Sequence, residues 1–152
     1  AGMDPKTRAA GLLVLLYGIQ LTRIVTITRT QIDTSSRPVT LTVGAEPIGL
    51  PEILGDAISD LADAAKHHPE GWLFPGRNPG NHLTPGPLSR RLRAEGLLAG
   101  SARTTALIEL TRQMHPRIVS DLLGITTSSA AAWSRLAGGD WSDYPAIRSD
   151  HA

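Results

Sequence analysis

The chain has 152 residues, a length typical of one domain, with 41% hydrophobic residues and a formal net charge of +1. It contains no cysteine, which excludes disulfide scaffolds, cysteine nucleophiles and thiolate metal sites. The longest apolar run, residues 9–19, is broken by Gly11 and Gly18 and is too short to cross a bilayer. No signal peptide is visible, so we expect a cytoplasmic protein that does not enter a membrane.

The two ends of the chain are expected to lie outside the folded part. Ala1 and Gly2 precede Met3, so we interpret residues 1–3 as a tag remnant and the start of the protein. The segment after Gly139 is polar, and residues 147–152 are expected to form a loose tail. A single domain is therefore predicted over residues 4–146.

Acidic and basic residues are segregated along the chain. Residues 33–72 hold seven acidic and two basic side chains, whereas residues 74–117 hold seven arginines and two acidic side chains. Such segregation favours a basic face that meets a polyanion, although an ordinary solvated surface gives the same pattern.

The chain opens with a helical pattern. Asp4 and Pro5 form an N-cap followed by proline at the first helical position, which predicts a helix over residues 5–17 that ends at Gly18. This helix is apolar nearly all round, so we expect it to be buried. Residues 21–27 are rich in β-branched side chains and fit either a helix or a strand.

A small sheet is predicted next. Residues 38–43 alternate between apolar and hydroxyl side chains, as in a strand with one buried face. Residues 44–46 form a tight turn, residues 47–51 form the returning strand, and residues 28–33 form the preceding one. The three strands make an antiparallel meander.

Helices dominate the rest of the chain. Residues 52–67 place apolar side chains at helical spacing and carboxylates on the opposite side. After a proline- and glycine-rich loop over residues 69–87, four helices are predicted, at residues 87–95, 102–113, 116–123 and 128–136. The predicted fold is mainly α with a small three-stranded antiparallel sheet.

Motifs for several enzyme classes are absent from the sequence. There is no glycine-rich phosphate loop with its lysine, and no Gly-x-Ser-x-Gly nucleophile elbow. His67 and His68 are adjacent, so on a helix their side chains diverge by about 100° and do not converge on one metal ion. The sequence predicts neither a cofactor nor a metal site.

Residues 117–136 have the layout of a helix-turn-helix unit. A first helix ends at Gly124, a short turn follows, and a second helix begins with hydroxyl side chains and carries Arg135 as its basic residue. The second helix of such a unit can place its N-terminal side chains in a major groove. Two short helices joined by a glycine turn also occur in helical domains that bind no DNA, so both interpretations stay open.

The order of these segments resembles the catalytic domain of tyrosine recombinases, the phage integrase family, over residues 4–146. Residues 12–18, Leu-Leu-Val-Leu-Leu-Tyr-Gly, resemble the helix before the family's first catalytic arginine. Residues 21–24, Leu-Thr-Arg-Ile, resemble the segment that bears that arginine, so Arg23 is its counterpart. The resemblance implies a mostly helical fold with a small antiparallel sheet near its start.

Later segments extend the resemblance. Residues 72–76, Trp-Leu-Phe-Pro-Gly, and residues 83–84, Leu-Thr, are similar to the family's linker into its next helix. Arg103 matches the arginine of the family's His-x-x-Arg motif, and residues 122–124, Leu-Leu-Gly, match its Leu-Gly-His motif.

The other catalytic positions of the family are not matched. Gly100 stands at the histidine of His-x-x-Arg, and Ile125 stands at the histidine of Leu-Gly-His. The turn at residues 44–46 lacks the lysine that active members carry between strands, and Thr26 replaces the acidic residue that normally follows the first arginine. Ser134 stands where the nucleophilic tyrosine is expected.

The reaction of the family shows what these missing residues would do. A tyrosine hydroxyl attacks a phosphodiester and forms a phosphotyrosine, while two arginines neutralise the oxygens of the phosphorane and lysine and histidine move protons. Arg23 and Arg103 therefore form the predicted phosphate-binding site, whereas loss of the nucleophile abolishes the covalent step. Tyr144 is another nearby tyrosine, which reaches the site if the tail folds back; as an alternative it anchors the tail together with Trp141.

The resemblance thus implies a protein that binds double-stranded DNA without strand-transfer activity of its own and without a cofactor. Arg90, Arg91 and Arg93 are expected on the flanking DNA backbone, and Arg135 is a further candidate contact. Members of the family usually carry an N-terminal domain that contacts the other side of the duplex. Because a domain that contacts one side alone holds DNA weakly, a recombinase relative or a separate N-terminal clamp domain is the expected partner.

Three alternatives remain at this point. The first is an active strand-transferase that uses Tyr144. The second is a small helix-turn-helix regulator that needs residues 128–135 to bind DNA. The third is an inert or protein-interaction remnant of an integrase, which binds no DNA even at low salt.

Overall fold

The computed structural model describes residues 4–78 and 80–138, which form helices and one small sheet. The elements in chain order are α1 (Pro5–Tyr17), α2 (Leu21–Ile24), a 3₁₀ turn (Arg29–Gln31), β1 (Ile32–Asp33), β2 (Thr40–Leu41), β3 (Ile48–Gly49), α3 (Glu52–Ala65), α4 (Pro85–Ala94), α5 (Ala99–Gln113), α6 (Pro116–Leu123) and α7 (Thr127–Leu136). The strands are antiparallel in the order β1–β2–β3. The predicted fold class is confirmed.

Helix α1 has the predicted bounds because both of its ends are capped. The Asp4 carboxylate accepts a hydrogen bond of 3.2 Å from the Thr7 amide, which satisfies one free donor of the first turn. At the other end Gly18 adopts the left-handed conformation with φ of 63°. The helix contacts α5, α3, α2 and α4, so it positions most of the other helices.

The prediction that α1 is buried all round is wrong for one side of the helix. Leu13 is fully buried, but the side chains of Leu15 and Leu16 are 51% and 38% exposed. The neighbouring helices cover only part of the circumference of α1, and these two leucines follow one another on the uncovered part.

The sheet is shorter than predicted. Each strand contributes two ladder residues, with Thr40 opposite Asp33 on one side and Gly49 on the other. Prolines at positions 38, 47 and 51 flank the strands and supply no N–H to a ladder. The first predicted strand is partly a 3₁₀ turn, because the Gln31 side chain accepts a hydrogen bond of 3.0 Å from the Thr28 amide.

The later helices occur where they were predicted, with shifted ends. Residues 21–27 resolve into the single turn of α2, and α3 ends two residues earlier than predicted. Helices α4, α5 and α7 begin at Pro85, Ala99 and Thr127, each before its predicted start, whereas α6 has the predicted bounds.

One continuous core joins these elements. Its largest fully buried side chains come from α1, α2, the sheet, α3, the loop before α4, α4 and α5, and include Leu13, Ile24, Leu41, Ile58, Phe74, Leu88, Leu92 and Leu107. Burying such side chains contributes about 1.5–3 kcal/mol each. The core fixes the C-terminal end of α1 against α5, and this contact brings the two arginines of the candidate site together.

Candidate functional site

Arg23 lies in α2 and links two distant parts of the backbone. Its guanidinium donates one hydrogen bond of 2.7 Å to the Val43 carbonyl, in the β2–β3 connection, and another to the Leu123 carbonyl at the end of α6. A guanidinium carries five N–H donors, so these bonds leave others available to a ligand. Arg23 is thus held in place by the protein before any ligand binds.

Arg103 lies near the start of α5 and is half-buried. Its guanidinium carbon lies 5.6 Å from the centre of the Trp133 ring, within the range of a cation–π contact. Its Nε is buried and has no hydrogen-bond partner among the described residues. Burial is the main cause that lowers the pKa of Arg103, and the nearby charge of Arg23 lowers that pKa further.

The two arginines line one pocket of about 180 Å³. The rest of its lining comes from the end of α1, the approach to α2 and the end of α6, namely Gly18, Ile19, Gln20, Leu123, Gly124 and Ile125. No acidic residue is among the described residues of this lining, so within the described part of the chain two cations share a partly desolvated space without a counter-charge. An anion that enters the pocket relieves their repulsion and pairs with the unused N–H donors.

Two glycines make the pocket possible. Gly124 has φ of 69°, and a Cβ there would lie 2.8 Å from the Val43 oxygen and 3.0 Å from Arg23 Nη2. Gly18 has φ of 63°, and a Cβ there would lie 2.7 Å from the Leu107 side chain. Because a side chain at either position would clash, glycine lets α6 approach Arg23 and lets α1 approach α5.

The positions that differ from the recombinase pattern carry no proton donor into this pocket. Ile125 lines it with an aliphatic side chain, and Gly100 has open space where a side chain would stand. The Thr26 hydroxyl donates to the Arg23 carbonyl and not to its guanidinium. Ser134 is 2% exposed and its hydroxyl has no hydrogen-bond partner among the described residues.

The turn that lacks the lysine is packed against α6. The amides of Ala45 and Glu46 donate to the Asp121 carbonyl at 2.8 and 3.2 Å. A Cβ at Gly44 would overlap with the same oxygen. The β2–β3 connection therefore rests on the end of α6 next to Arg23.

The three arginines of α4 do not share one location. All are exposed; Arg90 and Arg91 line a larger cleft together with Lys6, at the N-terminal end of α1. The Arg23–Arg103 pocket lies at the opposite end of α1, about 18 Å away along the helix axis. Arg93 instead lines a shallow depression that includes Ala99 and Gly100 at the start of α5.

The helix-turn-helix layout is present as a local structure. Gly124 ends α6 in the left-handed conformation, and Thr126 caps α7 by accepting a hydrogen bond of 3.0 Å from the Ser129 amide. The first three residues of α7 and Arg135 are exposed. DNA reading by this unit stays a prediction.

Three earlier expectations concern other parts of the chain. Tyr144 and Trp141 lie outside the described residues. No cluster of His, Cys, Asp or Glu able to hold a metal ion occurs in the described ranges, and His67 and His68 are both exposed. Within the same ranges, no helix is long and apolar enough to cross a membrane.

Several residues of the site were not predicted from the sequence. The Val43 and Leu123 carbonyls that hold Arg23 carry no side-chain signal, and the contact of Trp133 with Arg103 depends on how α7 packs on α5. Lys6 is far from Arg90 and Arg91 in the sequence, and the fold places all three in the lining of one cleft.

A comparison with solved structures supports the fold assignment. The structure is similar to the crystal structure of XerA recombinase, with a TM-score of 0.65 and 13% sequence identity. The match covers 86% of this chain and 53% of that chain, so this chain spans about half the length of the solved protein. No family model and no curated protein matches the sequence. The chain thus has a recombinase-like fold, mainly helical with a three-stranded antiparallel sheet.

Proposed function

We propose that this protein binds double-stranded DNA by holding a backbone phosphate between Arg23 and Arg103, and that it has no strand-transfer activity of its own. The observation that carries the proposal is the pocket that Arg23 and Arg103 line together, with no acidic residue among its described lining. The similarity to XerA recombinase supports it at the level of the fold.

The chemistry available in the pocket is binding and charge neutralisation. Guanidinium groups donate paired hydrogen bonds to phosphate oxygens, and a low local dielectric strengthens these bonds. The Arg103 Nε is buried, so the bonds to a phosphate would come from the two Nη groups of that guanidinium. No described side chain in the pocket is a nucleophile, and Ser134 is buried, so the pocket supports binding without a covalent step.

The proposal includes a partner and a location. A domain that contacts one side of a duplex loses affinity steeply with salt, so a recombinase relative or a separate clamp domain is the proposed partner. The proposed location is the cytoplasm.

Fluorescence anisotropy with a labelled duplex at two salt concentrations tests the proposal. Arg103→Ala should weaken binding at least about tenfold and reduce the salt slope by about one phosphate contact. Arg112→Ala is the matched control, since Arg112 is an exposed arginine of the same helix that pairs with Glu109 at 3.2 Å. Equal losses in both variants, or no binding at low salt, would contradict the proposal.

The exposed start of α7 favours one second candidate, a helix-turn-helix regulator. In that case Arg135→Ala and Ser128→Ala should weaken binding, whereas Arg103→Ala should have little effect. The same anisotropy assay therefore separates the two candidates, because they depend on different helices.

A further inference from the structure

A second cationic cleft lies at the end of α1 remote from the arginine pocket. It has a volume of about 650 Å³, and its charged lining consists of Lys6, Arg77, Arg90 and Arg91. The ion pairs among the described residues are Lys66–Asp63 and Arg112–Glu109, so none of these four cations has a carboxylate partner there. Four cations from three separate segments therefore line one cleft, with no acidic residue among the lining that the structure describes.

Two acidic side chains from neighbouring segments, Asp4 and Glu70, are not part of the lining. The Asp4 carboxylate accepts hydrogen bonds from the amide and hydroxyl of Thr7 as the cap of α1. The Glu70 carboxylate lies beside Gly80, at the tip of the loop before α4, and is not part of the lining. The described lining of the cleft therefore carries a net positive charge.

One wall of the cleft is a closed hairpin. The Gly76 amide donates to the Asn81 carbonyl at 2.7 Å, and the Leu83 amide donates to the Phe74 carbonyl at 2.7 Å. A Cβ at Gly76 would lie 2.6 Å from the His82 carbonyl, so glycine permits this tight pairing. Arg77 is therefore carried by a loop whose base is fixed.

His82 completes this wall with a defined tautomer. Its Nδ1 lies 2.7 Å from the Leu83 carbonyl, which can only accept, so Nδ1 carries the proton. The Trp72 ring contacts the imidazole edge-on at 4.9 Å between ring centres, and Trp72 Nε1 donates to the Gly80 carbonyl. These contacts hold His82 against the cleft and leave its Nε2 as the other polar atom of the ring.

The opposite wall is the start of α4, where Arg90 folds back over the first turn. Its Nη1 lies 3.6 Å from the position that a Cβ of Gly86 would occupy, which places the guanidinium over the first turn of α4. The N-terminal end of a helix already favours an anion because its dipole is positive there. A cation at this end raises the local potential further, which favours an incoming anion.

We propose that this cleft binds a small ligand that carries two or more adjacent phosphate groups, as an inorganic oligophosphate or a nucleoside triphosphate does. Its volume is in the range of small-molecule sites, and it is concave, bounded by α1, the hairpin and α4. Four cations match a compact multiply charged anion better than they match a single diester. The cleft is separate from the Arg23–Arg103 pocket, so the inference stands independently of DNA binding there.

The test is a titration of the whole chain with sodium tripolyphosphate, followed by amide chemical shifts and by calorimetry. The amides of Gly86 and Leu83 should shift at lower tripolyphosphate concentrations than those of Gly18 and Gly124, because four cations line the cleft and two line the pocket. Arg90→Gln/Arg91→Gln should weaken binding at least about tenfold. These side chains are exposed, so the variant should fold, and its urea midpoint checks this.

Two further arms make the outcome decisive. Arg112→Gln/Arg117→Gln removes the same charge at exposed positions outside the cleft and should change the affinity less than about twofold. ATP should compete with tripolyphosphate, and an unphosphorylated duplex should not. The proposal is overturned if only Gly18 and Gly124 shift, if both double variants lose binding equally, or if the duplex binds at Gly86 while tripolyphosphate does not.

Discussion

Gly44 lies in the β2–β3 connection against the end of α6, and Gly44→Ala tests whether that contact holds the arginine pocket together. A Cβ at this position would overlap with the Asp121 oxygen and lie 2.6 Å from the Gly124 nitrogen. Both atoms are backbone, so the turn and the helix end must separate by about 1 Å to reach an ordinary contact distance. That movement stretches the hydrogen bonds from Ala45 and Glu46 to Asp121.

The expected loss of stability follows from these contacts. Overpacking costs about 1–3 kcal/mol, and each weakened hydrogen bond costs about 1 kcal/mol. The alanine side chain offsets up to about 1 kcal/mol of this loss, because it restricts the conformations of the unfolded chain. We expect Gly44→Ala to lower the free energy of unfolding by about 3 kcal/mol and the Tm by about 6–12 °C.

Urea denaturation and thermal melting followed by circular dichroism measure this loss. Gly100→Ala is the matched control, because Gly100 lies in α5 with no atom within 4 Å of an added Cβ, so it should be neutral or stabilising by up to about 1 kcal/mol. DNA binding by folded Gly44→Ala should also fall, since the Val43 carbonyl that holds Arg23 belongs to the same turn. A Gly44→Ala protein as stable as the wild type would refute the packing of the turn on α6.

Ser134→Ala should raise the free energy of unfolding by about 1 kcal/mol, because it removes a buried hydroxyl that has no described partner, and urea denaturation measures the change. The control is Ser59→Ala, in the middle of α3, which should raise the free energy of unfolding by about 0.5 kcal/mol or less through helix propensity alone. Trp133→Leu should weaken DNA binding roughly fivefold by removing the cation–π contact to Arg103, and Trp133→Phe should weaken it less because a ring face remains. A nicked duplex should form no covalent adduct with the protein; an adduct that Tyr144→Phe abolishes would instead establish strand transfer.

The helices were predictable where polar and special residues mark their ends. Asp4, Pro5 and Gly18 delimit α1, and Pro116 and Gly124 delimit α6, because capping and left-handed glycine are local effects that a sequence displays. The start of α4 was predicted at Pro87, two residues late, because Pro85 reads as a loop residue, although both prolines lie in a first turn that needs no N–H.

The sheet and the site depend on contacts that a sequence does not display. Strand lengths are set by which backbone groups find a partner, and the 3₁₀ turn at residues 29–31 replaces part of the first strand through one glutamine side chain. Arg23 and Arg103 were found through resemblance, yet their common pocket results from the packing of α1 on α5. The cleft around Lys6 and Arg77 was not predicted, because nothing in the spacing of these residues links them.

The two arginines of the pocket have different physical roles, and this decides which of them reports on a ligand. Arg23 donates to the Val43 and Leu123 carbonyls, so its removal leaves two backbone acceptors without their donor and loosens the joint between the sheet and α6. Burial and the nearby charge of Arg23 both disfavour the charged form of Arg103, and its Nε has no described hydrogen-bond partner. An anion beside Arg103 would offset the nearby charge of Arg23, so a loss of binding in Arg103 variants reports on the ligand, whereas a loss in Arg23 variants also reports on the fold.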